Sequence, residues 1–218
     1  MMSVRVEYEI EVKDRHGKVI KREKRESRSL LKNFLLGLMA LMKGTVHTET
    51  QYNGTGGGEA TVRDVTGADK TIWGGYRDKV ADYAGGWPMA VNAPDDDDSY
   101  GIVVGKGDAP VSAEDYALDD QIPHGTEAGQ LDYGTHAFED VVVEDKVSKL
   151  RISRTFTNLS GASVTVKEIG IIAWNRWQEG GAVANNVRFL IVRDVLTSPT
   201  TIPDGASLNV RYTFLVEA

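Results

Sequence analysis

Cysteine is absent from this chain of 218 residues. That excludes a disulfide framework and every thiolate metal site, so stability must come from packing or from association. Long apolar runs are missing as well. The longest, LLKNFLLGLMALM at 30–42, is interrupted by Lys32 and Asn33 and is too short to cross a bilayer. Met1 leads straight into an alternating charged segment rather than a basic head and an apolar run, so no secretory signal is read. The expectation is a soluble protein with no membrane partner and one main core.

Catalytic signatures are scarce too. The four histidines, His16, His47, His124 and His136, stand far apart, and neither H-E-x-x-H nor a His/carboxylate spacing of a metal enzyme occurs. No G-x-S-x-G exists, and Ser160-Gly161 belongs to an Asn-Leu-Ser-Gly turn between two strands. Carboxylates are abundant at 95–145, but glycoside hydrolysis needs two at a set separation across a pocket, and abundance alone does not supply that. The reading is a non-enzyme that requires no cofactor.

What the chain does have is segregated charge. Its net charge of −7 divides into 11 Lys/Arg against 6 Asp/Glu in residues 1–43, 5 against 21 in 44–145, and 9 against 5 in 146–218. An acidic middle would repel a phosphate backbone, which makes nucleic acid an unlikely partner. Basic ends and an acidic middle suit copies that touch one another in a homo-oligomer; loop content and solubility alone would give the same distribution.

SVRVEYEIEVKD at 3–14 alternates cleanly, with Val4, Val6, Tyr8, Ile10 and Val12 on one face, and reads as a half-buried strand. The turn Asp14-Arg15-His16-Gly17 leads to a return strand within 18–27, giving an N-terminal β-hairpin arm. Ser27 or Ser29 would then cap an apolar helix over 30–43, stopped by Gly44, which the sheet or a neighbouring subunit has to cover. Residues 44–100 form a Gly-, Trp- and Asp-rich excursion with short strands near 60–65 and 69–73; a loop of that length is usually functional, interfacial or mobile. From 101 onward strands are expected at 101–104, 135–143, 147–158, 163–174, 187–196 and 207–217. In SVTVKEIGIIAWN the apolar parity switches near Lys167-Glu168, which a β-bulge would explain. The fold class is mainly β: an antiparallel β-sandwich or jelly-roll-like core at 101–218, with 1–43 as β arm and helix and 44–100 inserted or packed on the core.

Four local features invite a chemical reading. GKG at 105–107 lacks the G-x-x-x-x-G-K-[ST] of a phosphate loop, and Pro110 spoils G-x-G-x-x-G; a glycine turn followed by a short helix capped by Ser112, with Asp115 three residues on, is expected instead. Asp95, Asp96, Asp97 and Asp98 fit no EF-hand frame, and a different calcium site would draw on them together with Asp108 or Asp119. Trp73, Trp87, Trp174 and Trp177 would suit a sugar platform or an interface, and for Trp174 core or interface packing is favoured. KREKRESR at 21–28 would meet nucleic acid or an acidic neighbour, or simply guard a strand edge.

GIVVGKGDAPVSAEDYALDDQIPHG (101–125), LRISRTFTNLSGASVTVKEIGII (150–172) and FLIVRDVLTSPTTIPDGASLNVRYTFLV (189–216) together resemble a group of uncharacterised proteins encoded by tailed bacteriophages and related archaeal and metagenomic viruses. The shared residues are mainly turn and core types. The resemblance implies a virion structural component of head or tail, made in the host cytoplasm and partnered by its own copies and by other virion proteins. Contact residues would be Val4, Val6, Tyr8, Ile10, Phe34, Leu38, Trp73 and Trp87. The competing expectation is a carbohydrate- or receptor-binding module, calcium-dependent through the aspartates, with Trp73, Trp87 or Tyr76 as stacking surfaces.

Overall fold

Among the described residues there are thirteen elements, and the strands pair antiparallel. A computed structural model describes residues 3–27, 29–43, 58–74, 87–179 and 182–217. The hairpin forms as the alternation requires: β1 (Ser3–Lys13) returns as β2 (Val19–Ser27) through a turn in which Asp14 Oδ1 accepts the N–H groups of His16 and Lys18. Gly17, at φ +79°, adopts the left-handed conformation that closes the turn. The chain continues through α1 (Lys32–Lys43), β3 (Glu59–Arg63), β4 (Asp69–Trp73), β5 (Trp87–Ala90) and β6 (Gly101–Gly105). It ends in β7 (Asp132–Phe138), β8 (Val142–Glu144), β9 (Val147–Thr157), β10 (Val164–Glu179), β11 (Ala182–Ile202) and β12 (Ser207–Glu217).

These strands make a β-sandwich-like fold. One sheet runs β2-β1-β12-β9-β7, with β8 also on β9; the other runs β11-β10-β5, with β6 also on β10; β3 and β4 form a separate hairpin. Tyr212 of β12 reaches Asp194 of β11, and Tyr133 of β7 reaches Val104 of β6, so the core lies between the two sheets. The smaller sheet is covered on both faces, and all five residues of β6 are buried, which explains its unbroken β-branched run.

Four expectations change. The N-terminal hairpin expected as an arm is built into the larger sheet: β1 pairs with β12 over its whole length, and Val6, Tyr8 and Ile10, expected as contact residues, are buried in the core. The strand expected at 135–143 divides into β7 and β8, both paired to β9, with Glu139 bonded to the Arg151 carbonyl near the break. No helix follows Ser112. The capping bonds form, with Ser112 N–H donating to Asp115 and Glu114 N–H to Ser112 Oγ, but they close a single turn. Neither Ser27 nor Ser29 caps α1; Ser29 turns inward to Asp194.

The bulge expected near Lys167 is present, between Val166 and Glu168, but the extra residues lie on β11, where the partners step from Thr200 to Val195. Glu168 therefore keeps the inward phase of Val164 and Val166, and it is buried.

Because β1 lies between β2 and β12, removing residues 1–28 strips Val6, Tyr8, Ile10 and Val12 from the core. Each such burial is worth about 1.5–3 kcal/mol, so the loss rivals the whole stability of a typical domain, about 5–15 kcal/mol. The truncated chain is expected to lose its cooperative thermal transition in circular dichroism; a transition at the full-length temperature would contradict this.

Candidate functional site

The glycine loop at 105–107 is occupied from inside. Glu168 Oε1 accepts the N–H of Gly107 (3.1 Å) and of Asp120 (2.8 Å), and Oε2 accepts the N–H of Asp119 (3.1 Å) and Nε of Arg193 (2.9 Å). A Cβ at Gly105 or Gly107 would lie 2.5 or 2.6 Å from the same carboxylate, so both positions need glycine for close approach. Arg193 is held in turn by Asp115 (2.8 Å) and the Ala109 carbonyl (3.0 Å). Burial opposes its charge, but the bonds to Asp115 and Glu168 raise its pKa above the ordinary value. Backbone donors that would cradle a phosphate thus cradle a carboxylate of the same chain, while Lys106 stands at the surface beside Asp120.

A second buried ion works in the opposite sense. Arg154 is 1% exposed, and its guanidinium donates to the carbonyls of Gly134 (2.6 Å), Ile102 (3.1 Å), Pro94 (3.0 Å) and Asp97 (2.7 Å). It lies 4.8 Å from the centre of the Tyr133 ring. This side chain helps to fasten the excursion entering β6 to the larger sheet.

The aspartate run serves the same loop. Asp97 Oδ1 accepts Ser99 N–H (2.8 Å), Asp98 Oδ2 accepts His124 N–H (2.7 Å), and Asp108 pairs with Lys167 (2.8 Å). Asp119 faces the Ala109 N–H (3.4 Å). Asp95, Asp96, Asp97, Asp98 and Asp108 do not converge on one point. Among the described residues, the three-donor cluster is Asp96, His124 and Asp132, with ligand atoms within 4.8 Å of one another. His124 Nδ1 accepts the Tyr133 N–H (3.3 Å), so the neutral ring carries its proton on Nε2, which faces Asp96 at 3.6 Å.

Two buried titratable groups complete the interior. His136 Nε2 accepts the Ile102 N–H (2.8 Å), so Nδ1 carries the proton facing the Ala93 carbonyl (3.0 Å). Burial, helped by the charge of Arg154, holds its pKa down to about 4. Stability from this neutral ring is complete above the ordinary value of 6.5 and is lost as the pH falls through about 4. Asp194 accepts Ser29 Oγ (3.0 Å) and Tyr212 OH (3.2 Å) between the sheets. Burial raises its carboxyl above the ordinary value, although these donors oppose the rise.

The basic run at 21–28 faces its own glutamates. Arg22 pairs with Glu11, Lys24 with Glu7 and Arg25 with Glu23. Trp174 packs at 4.9 Å against Tyr100 and donates to Asn186 (2.7 Å), in keeping with a packing role. The side chains of Trp73, Trp87 and Trp177, and all of Tyr76 and Gly44, lie outside the described residues.

What remains at the surface is apolar. Helix α1 presents Asn33, Gly37 and Ala40 to its own chain; Asn33 exchanges bonds with the backbone of Arg63, and Gly37 approaches Met89 and Phe189. Leu36 is partly buried against the core, whereas Leu35 is 62% and Met42 78% exposed and Leu38, Met39 and Leu41 are partly so. Phe34 is half-buried against the core, and Val4 is exposed at the end of β1.

No family model, no curated protein and no solved structure matches this chain. The site is therefore read from its own residues: an interior whose charged groups bind backbone, and a helix whose apolar face has no partner among the described residues. Sequence reading missed Arg154, Glu168, Arg193 and Asp194. The signal was available, since each is a charged residue inside a β-branched or aromatic run, at a position where a strand facing water on one side would not place it.

At neutral pH an ionised Asp194 carries a desolvation cost, which is relieved as the pH falls through its raised pKa. Asp194→Asn is therefore expected to raise the urea midpoint at pH 7 by an amount that shrinks below the unfolded value of 3.8. A lower midpoint for the variant at pH 7 would show that the ionised carboxylate stabilises the fold.

Proposed function

We propose that this protein is a structural component of a tailed-virus particle, assembling with its own copies and with other virion proteins and performing no catalysis. One observation carries the reading: α1 turns Asn33, Gly37 and Ala40 inward and leaves Leu35, Leu38, Met39, Leu41 and Met42 at the surface, with only Phe34 and Leu36 packed partly buried at its margin. A monomer gains nothing from that arrangement, because a helix facing one core would bury its larger side chains. A contiguous exposed apolar patch of this kind marks a protein–protein contact. The resemblance of residues 101–217 to a group of uncharacterised proteins encoded by tailed bacteriophages and related viruses, which implies a virion component, supports the class of assembly. The turn residues in that resemblance have structural work in this fold: Asn158 bonds the carbonyls of Ala162 and Ile202 (2.7 Å each), and Asp204 accepts the Gly161 N–H (2.9 Å).

Light scattering during size exclusion is expected to give a discrete oligomer. Leu35→Glu combined with Met42→Glu should lower its mass without lowering the melting temperature, because both side chains are exposed in the single chain. A monomer at every concentration, or an oligomer of unchanged mass in the double variant, would contradict the proposal.

A further inference from the structure

The larger sheet ends in two different edges. On one side lies β2, with four basic residues, Lys21, Arg22, Lys24 and Arg25, against Glu23 and Glu26. Its first residues Val19 and Ile20 are 41% and 49% exposed. On the other side β7 and β8 follow one another along β9. Residues 139–145 of that edge read EDVVVED, four acids and no base.

The valines are the anomaly. Val141, Val142 and Val143 are 63%, 38% and 67% exposed, and β8 is an outermost strand. Three consecutive exposed β-branched residues on a sheet edge gain nothing in water and present a template for strand addition. Acids at both ends of the triplet select what can approach. Asp140 and Asp145 have no ion-pair partner among the described residues, whereas Glu139 and Glu144 pair with Arg151 and Lys149.

We propose that the acidic β8 edge of one copy receives the basic β2 edge of another, continuing the larger sheet from subunit to subunit. This rests on the reading that the chain self-assembles, and it adds the second contact surface and its polarity. The occupant is a second copy because the complementary strand belongs to the same sheet of the same chain: charge is opposite in sign, and each edge adds exposed aliphatic residues. Two different edges meet, so the contact is head-to-tail and yields a ring or a filament rather than a two-fold dimer. The basic residues of β2 already face glutamates of β1 and β2, yet Arg22, Lys24 and Arg25 remain at least half exposed and available to a neighbour. Backbone pairing supplies adhesion, and the charges set the partner and the register.

Charge exchange tests this. One variant carries Asp140→Lys and Asp145→Lys, and the other carries Lys24→Glu and Arg25→Glu; each is checked for an unchanged fold by circular dichroism. In sedimentation velocity, each variant alone should associate at least about tenfold more weakly than wild type, since like charges then meet at the contact. Mixed one to one, the two should recover association, because every contact again pairs opposite edges. Wild-type association by either single variant, or a mixture no stronger than its components, would overturn the edge proposal while leaving self-assembly standing. A wild type that stays monomeric throughout would overturn the assembly reading itself.

Discussion

A fully buried carboxylate with four donors, Glu168, is the constraint around which the smaller sheet and its long loop are arranged. Ionised and isolated in a protein interior, such a group would be prohibitively costly. Three loop N–H groups and the Arg193 guanidinium close its coordination, so residues 105–120 have to lie against β10 where they do. The consequences spread through the sequence. Gly105 and Gly107 carry no side chain because the carboxylate occupies that space, Asp115 is needed to balance Arg193, and the β10–β11 ladder makes its register change beside Glu168.

Arg154 solves the mirror problem. A loop packed on a sheet has carbonyls that need donors, and one guanidinium with five N–H groups satisfies several at once. Both ions bind backbone, and both hold irregular segments rather than reacting groups. These interior ions hold loops against sheets. At the surface the unusual features are apolar: the outward face of α1 and the valine triplet of the β8 edge. A soluble monomer would be better served by polar residues in both places, and this joins the two proposals into one picture of a subunit built to be covered.

Much of the fold was legible because it rests on period-two alternation. Val4 to Val12 and Leu208 to Val216 announced β1 and β12, and the Asp14–Gly17 and Pro203–Gly205 turns announced their ends. Legibility failed where tertiary contacts override local pattern. Nothing within 1–28 says that β1 pairs with a strand two hundred residues away, so a central strand read as a detachable arm. Ser112 and Asp115 carry a capping signature that closes only one turn, and Asp115 binds Arg193 as well. Glu168 sits in an apolar run, where its buried role looked like a switch of parity. Of the residues expected to form contacts, Val6, Tyr8 and Ile10 proved to be core, while Leu38 and Val4 stand at the surface.

The most direct test of the central claim, that Glu168 occupies the glycine loop, is native-state amide hydrogen exchange at Gly107, Asp119 and Asp120, compared between wild type and Glu168→Gln. The account predicts that in wild type these three amides exchange as slowly as the β10 and β12 ladders despite lying in a loop, and that all three become faster together in the variant, because removing one partner of a buried ion pair costs about 3–5 kcal/mol. Exchange in wild type at the rate of exposed loop amides would contradict it, and would mean that the loop's donors are open to an external anion.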